Sequence, residues 1–181
     1  MKKSPREFVL LTVLLCATRI SDMVTTYLVT PDLARETNPM ASMLGQGWAS
    51  VIGVQVVLVS AIVALNYYSL FKSQPAHPSQ AGLSFGQFAT RYYLGRERHW
   101  MNLIFRLPHR WSVFVRAFGY TLPRALIVIG LMVTLSSALL SVSQAYADSY
   151  PPLYVFYVVI VCVALFFYYR FFRIEYNAYR K

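Results

Sequence analysis

Four long, predominantly apolar runs decide what this chain can become: Phe8 to Val29, Trp48 to Phe71, Leu122 to Val142 and Leu153 to Phe172. A helix rising roughly 1.5 Å per residue needs about twenty such residues to cross a hydrocarbon core of roughly 30 Å. Within that core no water is available, so every backbone N–H and C=O has to be bonded inside its own segment. The expected fold is therefore all-α, an integral membrane bundle of four transmembrane helices forming one domain over residues 1–181. Hydrophobic residues make up 57% of the chain and charged ones 13%, which argues against an ordinary soluble domain.

Basic residues orient the bundle. Seventeen Lys and Arg against seven Asp and Glu leave a net charge of +10, which in a soluble chain would suggest nucleic acid. Here the cations flank apolar runs, so the expected partner is the lipid bilayer and not nucleic acid. Lys2, Lys3 and Arg6 precede the first run. Lys72, Arg91, Arg96, Arg98, Arg106, Arg110, Arg116 and Arg124 lie in or beside the connection between the second and third runs, and Arg170, Arg173, Arg180 and Lys181 follow the fourth. By the positive-inside rule both termini and the connection are cytoplasmic, and the loop Thr30 to Gly47 is outside, in a bacterial or archaeal cytoplasmic (inner) membrane. A cleaved signal peptide is the rival reading of the N-terminus. Leu15, however, stands where a cut before Cys16 needs a small residue, and the apolar run outlasts a signal core.

The connection, residues 73–121, opens with Pro75, Pro78 and Gly82. Beyond them Phe85, Phe88 and Tyr92 recur at helical spacing, followed by Leu103, Ile104 and Leu107, among Arg91, Arg96, Arg98 and Arg106. Such a basic amphipathic segment is expected in the headgroup layer, its arginines on anionic lipid. His99 and His109 have no carboxylate at ligand spacing and read as surface residues, and Cys16 and Cys162, both in apolar runs, offer neither a disulfide framework nor zinc-ligand spacing. In the outer loop Asn38 and Pro39 mark the start of a short helix reaching Leu44.

Two ionisable residues sit inside the first run. Arg19 and Asp22 are three apart on one helical face, with Thr18, Thr25 and Thr26 all within about 60° of Asp22. Gln55 on the second span and Ser137 on the third, within a stripe running from Gly130 through Thr134 to Gln144, fall at a similar depth. The first outer loop adds Glu36 and Asn38 above them. Asp22, Thr25, Thr26, Gln55, Ser137, Glu36 and Asn38 are thus the candidate ligand-binding residues of a polar layer toward the outer leaflet. The bland reading is an Arg19–Asp22 ion pair that only staples the bundle, with the Gly130 stripe as a packing face.

The segment Asp22-Met-Val-Thr25-Thr26-Tyr27, followed by Glu36-Thr37-Asn38-Pro39-Met40, resembles the D-x-x-T-T … E-x-N-P signature of small four-helix membrane proteins of bacteria and archaea, classed as a domain of unknown function. The resemblance implies a membrane location and a paired acidic signature, and supplies no activity or cofactor.

No zinc-protease, nucleophile-elbow or phosphate-loop motif is present. Three classes of function stay open. The chain binds or passes an ion or a small polar or lipid ligand through the Asp22 layer, as a subunit with other membrane proteins or alone. Alternatively, it is an outer-leaflet enzyme using Asp22 and Glu36 as acid and base on a lipid-linked substrate. Otherwise it is a scaffold whose basic cytoplasmic segment recruits partners.

Overall fold

A computed structural model describes residues 4–31, 47–74 and 77–180, and all the regular structure in them is helical. Helix α1 spans Pro5–Val29 and starts ahead of the apolar run because Ser4 caps it: the Ser4 hydroxyl accepts from the Glu7 N–H at 3.3 Å, with Pro5 in the first turn, where a missing N–H costs nothing. Helix α2 spans Gly47–Tyr67 and continues as one π-helical turn, Tyr68–Lys72. Its Val-rich sequence would suit a strand in water, but in hydrocarbon only a helix satisfies the backbone.

Helix α3, Phe85–Leu94, opens with a reciprocal cap between Ser84 and Gln87, and α4 is the single turn Asn102–Phe105. Helix α5 spans Trp111–Val142, α6 is the short Gln144–Asp148, and α7 spans Leu153–Tyr179. Four of these helices, α1, α2 with its π turn, α5 and α7, are long and apolar enough to cross a membrane. Their outward faces carry exposed Val9, Val13, Val57, Leu135, Val158 and Phe166, a surface that suits lipid and not water.

At the centre stands α5, which packs against α1, α2, α3 and α7, while α1 also meets α2. Close approach to α2 depends on Gly119, since a Cβ there would fall 2.3 Å from the Leu65 carbonyl oxygen. Pro123 lies inside α5 and removes one backbone donor; beside it the Tyr120 carbonyl accepts from Arg124 Nη1 at 2.7 Å.

The helices overrun the expected spans at one end of the bundle. Helix α5 begins at Trp111 and not at Leu122, and α7 continues past Phe172 to Tyr179, so residues 111–121 belong to a membrane helix and not to the connection. Near the start of α1, Glu7, whose side chain is 42% exposed, forms an ion pair with Arg124 of α5. Beyond that level Val113, Ala117 and Tyr120 of α5 and Phe171 and Phe172 of α7 form a buried cluster with Phe88, Ala89, Tyr92 and Tyr93 of α3. Full burial of a side chain such as Phe88 contributes about 1.5–3 kcal/mol. The apolar face of α3, expected on headgroups, is instead covered by protein.

Candidate functional site

Two clusters of ionisable groups are built into this frame, one within α1 and one at the end of the bundle past the Glu7–Arg124 pair. In the first, the Arg19 guanidinium leans on α5, where Nη2 donates to the Leu126 carbonyl at 3.3 Å. Gly130 makes that seat, because a Cβ there would come within 2.3 Å of Arg19 Nη2 and 2.9 Å of Thr18 Cβ. Nη1 stands 3.6 Å from Asp22 Oδ2, longer than the 2.7–2.9 Å or so of a tight charged hydrogen bond, and Nε has no hydrogen-bond partner among the described residues. The two side chains are 15% and 19% exposed.

The other expected members of this layer are distributed less evenly. Thr25 directs its hydroxyl to its own helix, donating to the Ser21 and Asp22 carbonyls at 3.0 Å each, and the Thr26 carbonyl accepts from the Thr30 N–H at 2.8 Å. Gln55 on α2 and Ser137 on α5 are half-buried. Ser136, the residue beside Ser137, is the buried and bonded one, its hydroxyl 2.9 Å from that of Tyr146. Gln144 leaves the α5 stripe altogether: the helix ends at Val142, and Gln144 pairs with Asp148 within α6. Glu36, Asn38 and the expected helix from Pro39 to Leu44 lie outside the described residues.

The second cluster is the more densely bonded. Glu175, on the last turns of α7, is fully buried, and its Oε1 accepts from Arg116 Nη2 at 2.8 Å and Nε at 3.3 Å. Its Oε2 is 3.1 Å from His77 Nε2. Arg116 turns Nη1 to the Ser73 carbonyl and hydroxyl at 2.9 and 3.2 Å, and its own carbonyl accepts from Ser69 Oγ at 2.9 Å. Nearby, burial and then the charge of Glu175 push the Tyr92 phenol above its ordinary value, with Arg116 pulling the other way. In the sequence Arg116 stands among the orienting cations, and neither His77 nor Glu175 belongs to a motif. The available signal was a single carboxylate within a terminal stretch otherwise basic and aromatic, a residue type that needs a partner once buried.

His109 Nδ1 lies 3.2 Å from the Tyr93 carbonyl at an exposed position, and His99 is exposed too. Among the described residues no group of three or more His, Cys, Asp or Glu is placed to hold a metal ion. Arg91, an expected headgroup contact, pairs with Glu97 at 2.8 Å and with the Gln80 side chain, whereas Arg96, Arg98 and Arg106 are exposed.

Fold and composition together define an all-α, multi-pass membrane protein organised around α5. No family model, no curated protein and no solved structure matches the chain.

Proposed function

We propose that the chain works in a bacterial or archaeal cytoplasmic membrane, with both termini and the α3–α4 region in the cytoplasm. It binds or passes an ion or a small polar or lipid ligand at the level of Arg19 and Asp22, in the half of the bundle toward the outer leaflet. Thr25, Thr26, Gln55 and Ser137, with Glu36 and Asn38 of the outer loop, are the further residues proposed for that site. The reading is supported by how Arg19 is held: the cation is seated on α5 at Gly130, its Nε has no hydrogen-bond partner among the described residues, and its Nη1 is 3.6 Å from the 19% exposed side chain of Asp22. A pair serving only to neutralise itself gains most from short, two-pronged contact. Ionisable groups inside a span are costly and commonly mark ion and ligand paths.

Asp22→Asn keeps shape and hydrogen bonding while removing the charge. The variant is expected at normal membrane abundance and thermal stability in detergent, yet unable to restore the phenotype of a deletion strain. Full restoration by the apolar double variant Arg19→Leu with Asp22→Leu would overturn the reading and leave a structural pair.

Recruitment at the cytoplasmic face is favoured by a separate observation. Trp100, Phe105, Leu107 and Trp111 are between 60% and 80% exposed, beside exposed Arg98, Arg106 and Arg110. The Tyr168 hydroxyl donates to the Leu103 carbonyl at 3.1 Å, which ties α4 to α7. An aromatic and basic edge there fits anionic headgroups, with α4 and not α3 supplying the apolar contact.

A further inference from the structure

We propose a second site, independent of the first: a groove between α1 and α2 that holds one acyl chain of an anionic glycerophospholipid from the cytoplasmic leaflet, its phosphate at Lys72. The groove has a volume of about 860 Å³, and Phe8, Cys16, Val59, Val63, Ala64 and Lys72 are among the residues that line it. Cys16 and Val59 stand near the midpoints of their helices, while Phe8 and Lys72 stand at the ends nearest the Glu7–Arg124 pair. From Phe8 to Cys16 the rise along α1 is about 12 Å, and half a hydrocarbon core is roughly 15 Å. The groove therefore runs from headgroup level to the bilayer middle, the depth of a single chain in one leaflet.

Its mouth selects by charge. Lys72 is exposed, no Asp or Glu lines the groove, and the rings of Tyr67 and Tyr68, 45% and 43% exposed, stand at the same end. A cation beside amphipathic rings at the cytoplasmic boundary is the chemistry that retains an anionic headgroup. The backbone here is also unusual. The Tyr68–Lys72 turn is π-helical, closed by the Ser73 N–H on the Tyr68 carbonyl at 2.9 Å, and such widened turns are rare and gather at functional sites. Within it Ser69 faces α5, with its hydroxyl on the Arg116 carbonyl, while Tyr68 and Lys72 turn to the groove. Phe8 sets its ring edge-on to Tyr67 and Phe71, 5.8 Å from each, and walls the same end.

The test is native mass spectrometry of the full chain in mild detergent, titrated with phosphatidylglycerol and phosphatidylcholine of matched chains. One phosphatidylglycerol per chain is expected, preferred about fivefold over phosphatidylcholine, since a single lysine near a headgroup supplies roughly that factor. Lys72→Gln, at an exposed position, should bring the two lipids to within about twofold of each other. Ala64→Trp, which fills the groove from an exposed wall position and leaves Lys72 in place, should abolish retention of either. Arg180→Gln, an exposed cation just past the end of α7 and away from the groove, should change neither result. A preference that survives Lys72→Gln, or a lipid retained by Ala64→Trp, overturns the proposal.

Discussion

Removing the carboxylate of Glu175 tests how the Arg116–Glu175 end of the bundle is held. Glu175 is fully buried and accepts two bonds from Arg116, whose side chain is 4% exposed, so Glu175→Leu strands a cation away from water. Breaking one partner of such a pair costs about 3–5 kcal/mol. Arg116 keeps Ser73 as acceptor for Nη1, so the lower end, about 3 kcal/mol, is the working value. For a chain of this size that is a fall in melting temperature of about 6–12 °C. Replacing both partners, with Arg116→Met added to Glu175→Leu, removes the stranded charge and should recover most of the loss, so that the double variant loses far less than the two single losses added. The assay is thermal unfolding of the full chain in one detergent, with membrane abundance measured alongside. A single variant that melts within about 3 °C of the parent, or a double variant that loses as much as the two single losses added, would refute the assignment of Arg116 and Glu175 as one unit.

The same cluster predicts an alkaline limit. Because the Tyr92 phenol is held above its ordinary value of 10.0, the unfolded chain ionises there first, and stability present below about pH 10 is lost as pH rises beyond it; Tyr92→Phe should flatten that part of the melting profile between about pH 9 and 11. Topology is tested by single cysteines in a background lacking Cys16 and Cys162: Ser149→Cys should react with an impermeant maleimide in intact cells and Ser79→Cys only after permeabilisation, and the reverse pattern would invert every statement about which leaflet each site faces.

Hydrocarbon thickness is why the four spans could be read from the sequence at all: it imposes a run length that no other environment demands. The ends of α5 and α7 could not be read the same way. Arg116 and Thr121 interrupt the apolar run, and only the packing of Val113, Ala117 and Tyr120 against Phe171 and Phe172 explains why the helix continues through them. Periodicity in α3 announced a face to be buried, but whether lipid or protein buries it is not in the spacing. The polar sites divide similarly. Arg19 and Asp22 meet within one helix at a spacing that can be seen, whereas the seat of Arg19 at Leu126 is 107 residues away and the partners of Glu175 are 59 and 98 residues away.

Those long separations also say what Arg116 does. Helix α2 packs on α5 and α1, and α7 packs on α5 and α3, so α2 and α7 are joined chiefly through their common neighbour. Arg116 is the place on that neighbour where one side chain bonds both: Nη1 reaches Ser73, directly after the π turn of α2, and Nη2 and Nε reach Glu175 on α7. Ser73 follows Lys72, the proposed lipid contact, so the acceptor that Nη1 uses lies one residue past the groove mouth. His77 closes the same loop from the connection, bonding Glu175 from the other oxygen. The end of α7 and the residue after the π turn are thereby joined through hydrogen bonds to one buried guanidinium, each of them charge-assisted.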